Sequence, residues 1–158
     1  MSKAINPLMK DPETKRAMIE SDIRFRDYFH IKKFELGWKL NNMSGGGVGE
    51  WRNVHLGNDP DDKTDNLTHS LNAHLRELSV KVFISTDGTD ENSFEVIGVA
   101  WRVDTGTIYG TMPFEVDVNN IIIQTGAGGI NYISTTGGLV SLSTEAYYYN
   151  IVIYHITK

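Results

Sequence analysis

From Phe34 the sequence pattern changes from a helical period of 3.6 to a period of two, and this specifies a mainly β protein. Turn signals recur about every 8–12 residues, the spacing of an antiparallel β-sandwich or jelly roll. Only the stretch ahead of Phe34 has helical spacing. The expected architecture is therefore an antiparallel sandwich or jelly roll with one N-terminal helix. Residues 1–33 would form an arm and helix for anchoring or assembly, and residues 34–158 the β domain.

Taken in order, Asp11-Pro12-Glu13 is a helix start, with Asp as N-cap, Pro at the first helical position and an acid in the first turn. The helix is expected over Pro12–Phe29. Its apolar residues, among them Ile19, Ile23, Phe25 and Phe29, give no single clean stripe, so it should pack on the body or on a neighbouring protein. Phe34–Leu40 places Phe34, Leu36, Trp38 and Leu40 on one face of a strand. Asn41–Glu50, with Ser44-Gly45-Gly46-Gly47, reads as a mobile loop. Trp51–Leu56 reads as a short strand, Gly57–Asp65 as an acidic loop and Asn66–Leu71 as a weaker strand. Leu78–Ser85 is a strand with Val80, Val82 and Ile84 on one face, and Thr86–Ser93 is a turn built on Asp87-Gly88. Phe94–Val103 is a strand with Ile97, Val99, Trp101 and Val103 on its apolar face. Thr105–Thr111 is a turn into a weak strand. Glu115–Val118 and Asn120–Gln124 flank a bend. A glycine-rich segment, Thr125–Gly138, contains a strand at Ile130–Ile133, and Leu139–Leu142 follows it.

The last strand, Tyr147–Ile156, is the richest in β-branched and aromatic residues. Tyr147, Tyr149, Ile151 and Ile153 fall on one face, and Tyr148, Val152, Tyr154 and Ile156 on the other. Both faces are mostly apolar, so the strand is expected to be central, with another subunit covering one side.

Charge and composition exclude several function classes. Without cysteine there is no disulfide, thiolate metal site or cysteine nucleophile. Residues 1–40 hold 9 Lys/Arg against 6 Asp/Glu, and residues 41–158 hold 6 against 14, a net +3 and a net −8. An acidic body argues against nucleic acid, whose binding needs cations for its phosphates. No apolar run is long enough to span a bilayer, so membrane insertion is not expected.

No catalytic motif emerges. His30, His55, His69, His74 and His155 show no zinc-ligand spacing, and the glycine clusters lack the lysine of a phosphate loop. Asp59–Asp65 and Asp87–Glu91 offer carboxylates, but not at EF-hand spacing, and read as solvated turns. No metal, cofactor or catalytic residue is expected. Glu95, Asp104, Glu115 and Asp117 could supply paired carboxylates only if the fold brought two together. Sugar recognition uses aromatic rings against pyranose faces, with carboxylates and imidazoles on the hydroxyls. On that chemistry His69, His74, Asp87, Asp90, Tyr109 and Tyr132 are the candidate ligand-binding residues. Trp101 also has the right chemistry, but lies on an apolar strand face and reads as core. The loops Asn41–Glu50, Gly57–Asp65, Thr86–Ser93 and Thr125–Gly138 are the candidate binding surface.

The order of elements carries a resemblance. It rests on Asn66-Leu67-Thr68-His69-Ser70-Leu71-Asn72, the strand Val80-Lys81-Val82-Phe83-Ile84-Ser85, then Asn120-Ile121-Ile122-Ile123-Gln124 with its glycine-rich sequel, and the terminal Tyr149-Asn150-Ile151-Val152-Ile153-Tyr154. This arrangement resembles the small trimeric β-domains at the ends of bacteriophage tail fibres. It also looks like H-type lectin domains, sandwiches that trimerise and bind N-acetylgalactosamine-like sugars. The resemblance implies a homotrimer on the surface of a phage particle, made in the bacterial cytoplasm. The N-terminal segment would hold other virion structural proteins, and the β-domain would recognise a host-surface glycan or protein. A capsid or baseplate decoration protein without a receptor, and a polysaccharide-degrading enzyme, are the alternatives.

Overall fold

The computed structural model describes residues 30–41, 49–96, 98–102 and 106–157, together with Pro12, Glu13 and Arg16. Those three are helical, and the rest of the expected helix lies outside the described residues, as does most of the loop Asn41–Glu50. The chain divides into two compact units, residues 1–32 with 156–158, and residues 33–155. The second holds nearly all that is described, and it is mainly β with antiparallel pairings.

Twelve strands are formed among the described residues. They are β1 (His30–Glu35), β2 (Lys39–Leu40), β3 (Leu67–Thr68), β4 (Leu78–Ser85), β5 (Ser93–Glu95), β6 (Ala100–Arg102), β7 (Thr107–Tyr109), β8 (Thr111–Asp117), β9 (Asn120–Thr125), β10 (Ile130–Ile133), β11 (Leu139–Leu142) and β12 (Tyr148–Thr157). One sheet runs β1-β12-β4-β5, with β2 also on β12; a second runs β3-β9-β8. The hairpins β6-β7 and β10-β11 complete the set.

Two expected strands are broken, the first for a local reason. Phe34–Leu40 is interrupted after Glu35, where Gly37 takes φ +78°. Its N–H is donated to the Asn150 side chain (3.0 Å) instead of to a ladder carbonyl. Phe94–Val103 is split into β5 and β6, and Val99, expected on an apolar core face, is 57% exposed.

Trp51–Leu56 is not a strand, although Trp51, Val54 and Leu56 are all buried. It runs beside β9, with Leu56 N–H bonded to Ile123 O (2.9 Å) and Thr125 N–H to Val54 O (2.9 Å). The ladder fails because the Thr125 hydroxyl intrudes. It accepts the Val54 N–H at 2.8 Å and donates to Val54 O at 3.0 Å. Asn53, at φ +51°, turns the chain before it.

One apolar cluster joins these pieces. β4 and β12 supply Val82, Ile84, Tyr149, Ile151 and Ile153, and β3 and β9 supply Leu67, Ile121 and Ile123. Ile130 and Leu142 come from the β10-β11 hairpin, and Trp51 stands edge-on to Tyr149 at 6.1 Å. The Tyr149 hydroxyl donates to Gly57 O, which ties the acidic loop to the core.

The second face of β12 departs from expectation. Asn150 and Val152 on that face are buried by the chain itself, Tyr148 and Tyr154 are half-buried, and only Ile156 is well exposed. Val152 lies at a shallow basin that Trp38, Phe83 and Tyr154 also line. The strand therefore does not require another subunit for its cover.

Candidate functional site

A concave surface with apolar exposure lies on the outer face of β8 and β9. The register Phe114↔Ile122 and Met112↔Gln124 puts Met112 and Phe114 opposite the half-buried side of β9. Ile121 and Ile123 point the other way, into the core. β7 forms the adjoining wall, and Gly110, at φ +99°, makes the corner between β7 and β8. Val99, just before β6, contributes to the same wall.

Three glycines hold that corner in place. Gly128 N–H bonds Ile108 O (2.9 Å), Gly126 N–H bonds Gly110 O (2.9 Å), and Gly110 N–H bonds Gly129 O (2.9 Å). A Cβ on Gly126 would strike Ile108 O, one on Gly128 would strike the Tyr109 ring, and one on Gly129 would strike Leu142 O. The first half of the segment expected to be a binding loop is thus a tight structural turn that fixes β7.

The resulting groove has a volume of about 490 Å³. Val99, Ile108, Met112 and Phe114 stand around it, at 57%, 50%, 50% and 46% exposed. Asn53, Thr111 and Gln124 bring amide and hydroxyl groups, and Tyr109 brings a second aromatic ring. No lining residue among those described is charged. Concavity, apolar walls and a few convergent polar groups are the general features of small-ligand and recognition sites.

The edge beside the groove is closed to strand addition. Since Gly126 bonds Gly110 O, the alternation turns Met112 and Phe114 backbone groups toward β9 and those of Thr111, Pro113 and Glu115 outward. Pro113 has no N–H to offer, and Glu115 places a carboxylate there, both of which blunt an edge strand. A ligand would meet side chains on the face rather than extend the ladder.

Of the sequence-predicted site residues, Tyr109 lines this groove. The other five have different surroundings. His69 is buried and accepts the Leu71 N–H through Nδ1 (3.1 Å). His74 is exposed, with Nδ1 2.8 Å from Glu115. The Glu115 carboxyl is held below the usual carboxylate range, first by that bond and then by the Leu75 N–H.

Asp87 organises the turn after β4. It accepts from Thr89 Oγ1 (2.8 Å), Asn92 Nδ2 (2.6 Å) and Ser85 Oγ (3.0 Å), and the Thr89 and Asn92 bonds lead in lowering its pKa to about 2. Asp90 accepts the Trp38 indole N–H at 3.0 Å, on the rim of a smaller basin of about 200 Å³ above Val152. Glu35, Phe83 and Tyr154 also line that basin. Tyr132 stacks on Phe94, centroids 4.8 Å apart, against the core.

The acidic groups considered for catalysis are engaged elsewhere. Glu95 pairs with Lys81 (3.2 Å), and Asp117 accepts from Asn119 N–H (2.7 Å) and from the Asn120 side chain (2.9 Å). Asp104 lies outside the described residues. In the acidic loop, Asp65 accepts the Asp59 N–H (2.7 Å) and Asp62 the Thr64 N–H (2.9 Å), so these carboxylates cap their own turns. Among the described residues no group of three or more His, Asp or Glu is placed to hold a metal ion, and no helix is long and apolar enough to cross a membrane.

Sequence reasoning missed Ile108, Met112 and Phe114. The signal was present in the alternation Met112, Phe114, Val116, but Pro113 interrupts it and masks an edge strand. No protein-family model matches the chain, and no curated protein or solved structure matches it.

Proposed function

We propose that this protein is a non-catalytic attachment module of the tail-fibre type, a virion-surface β-domain that recognises a neutral group on a host-surface glycan or protein. The observation that carries the reading is the uncharged groove of about 490 Å³ between β7 and β8. Its exposed Phe114 and neighbouring Tyr109 offer ring faces to an apolar patch, and Asn53 and Gln124 offer amides to hydroxyls or peptide groups. Exposed apolar side chains rimmed by polar groups are a feature of ligand-binding grooves and interaction sites. The sheets β1-β12-β4-β5 and β3-β9-β8 share one apolar cluster, which favours a sandwich as the finer description of the fold. In this reading three copies assemble and multiply a weak site into useful avidity.

Whole-cell binding and a glycan array with the full chain, wild type against Phe114→Ser, test the reading. Loss of a buried aromatic contact costs about 2 kcal/mol or more at a binding centre, at least roughly thirtyfold in affinity. The expected result is that loss with an unchanged circular dichroism spectrum. Undiminished binding by Phe114→Ser would remove the groove from recognition.

A second reading is a capsid or baseplate decoration protein without a receptor. It is favoured by Ile133 and Leu139, cross-strand partners on β10-β11 that are 61% and 60% exposed, well placed for a subunit contact. Particle assembly that needs this pair, with no cell binding at all, would support it.

A further inference from the structure

The segment between β3 and the 3-10 turn Leu75–Glu77 is laced to the β8-β9 turn in an unusual way. His69 and Ser70 N–H both bond Asn119 O (2.9 and 3.3 Å), Asn72 N–H bonds Asn119 Oδ1 (2.9 Å), and Ala73 N–H bonds Val118 O (2.8 Å). To reach these acceptors Ser70 and Asn72 adopt φ +55° and +51°, a left-handed backbone that L-residues resist. The bond that bridges Ser70 is Leu71 N–H to His69 Nδ1, at 3.1 Å. It requires Nδ1 to be unprotonated, because a protonated Nδ1 donates and cannot accept.

The His69 ring is 3% exposed, and its Nε2 is buried without a partner. His155, on β12, is 8% exposed, and its Nδ1 is likewise buried without a partner. A proton arriving on His69 would therefore cancel an acceptor and leave a buried cation whose Nε2–H has no partner.

We propose that His69–Ala73 is a proton-operated latch: closed while the His69 ring is neutral, and released from turn 118–119 when that ring is protonated. Burial holds the His69 pKa below the ordinary histidine value; the Asp117 carboxylate pulls it back up, and His155 lowers it further. Asp117, itself held low by the Asn119 and Asn120 bonds, stays ionised and tempers the switch without removing it. From the neighbouring turn, His74 is directed to Glu115 and Glu77 accepts the His74 N–H. The closed latch binds fewer protons than the open one. It is fully stable above about pH 6.5, the ordinary histidine value, and weakens as pH falls below it. Release would free the end of β8 where Glu115 now caps Leu75.

Amide hydrogen exchange on the full chain between pH 7.5 and 5, corrected for intrinsic rates, tests the latch. Protection at Leu71, Asn72 and Ala73 should fall with acid, by up to about tenfold per pH unit, the limiting slope for one proton. Ile151 and Ile153 in the core should keep theirs. In His69→Asn the side-chain oxygen can still accept the Leu71 N–H but does not titrate, so protection should persist at pH 5. Flat Leu71 protection in the wild type, or acid opening retained in His69→Asn, overturns the proposal. Should His69→Asn fail to fold, the imidazole nitrogen shifts of wild-type His69 decide. Their midpoint must coincide with that of Leu71 opening, and separate midpoints overturn the latch.

Discussion

Gly129 and Gly137 both sit at positive φ, +95° and +85°, yet the space around them differs. A methyl group on Gly129 meets backbone, Leu142 O, which cannot step aside, whereas one on Gly137 meets nothing within 4 Å. Gly137→Ala should cost only the left-handed conformation, about 1–2 kcal/mol. Gly129→Ala must also displace the β11 carbonyl and should cost more than about 3 kcal/mol, among the larger effects of a single substitution. Urea unfolding of the two variants checks the order; equal losses would mean that the turn can relax away from β11. The composition of Thr125–Gly138 marked it as a loop, but not why its glycines are needed. Their partners, Ile108, Tyr109 and Leu142, lie outside the local window, and no periodicity registers a close approach. Asp87-Gly88 is the opposite case. The residues that satisfy Asp87 all lie within five positions, and the turn was legible from sequence for that reason.

At the scale of elements, β4, β10 and β11 begin and end where alternation and flanking turn residues place them. Each pairs along its whole length with a regular neighbour, so local pattern and tertiary pairing agree. Trp51–Leu56 shows where the two part. Its apolar spacing is that of a strand and its side chains are core, yet its backbone bonds go to a hydroxyl, to Lys63 and to Ser143 as well as to β9. The hydroxyl of Thr125 is thereby one of the anchors of segment 51–56. Thr125→Val preserves the shape of the side chain and leaves the Val54 N–H buried with no acceptor, a loss of about 1–3 kcal/mol. Thr125→Ser keeps the hydroxyl and should lose less. Thermal unfolding of the pair reads this directly, and a valine variant as stable as the serine one would show that segment 51–56 is held by packing alone. The candidate site was only partly legible for a related reason. Tyr109 was accessible to chemistry-based reasoning, but the groove needs Gly110 to turn β7 onto β8, and that corner is set by the turn 126–129.

For the whole molecule, charge decides how copies could meet. The chain carries −5 overall, with +3 in residues 1–40 and −8 in residues 41–158, and no Lys or Arg falls between Arg102 and Lys158. With the second face of β12 covered from within at Asn150 and Val152, the proposed assembly would draw on other surfaces, such as the exposed Ile133–Leu139 pair. Contacts through uncharged faces bring acidic bodies together, and their repulsion is screened within about 10 Å at 0.1 M salt. Raising salt should then strengthen the assembly. The competing arrangement docks the basic front of one copy on the acidic body of the next, and salt should weaken that one. Sedimentation equilibrium at about 50 and 500 mM sodium chloride separates the two, because screening acts on both but with opposite sign. We expect a three-chain species whose fraction grows with salt. A fraction that shrinks would assign the contact to the front segment, and a single-chain mass at both concentrations would remove assembly, and with it the avidity on which a weak groove depends.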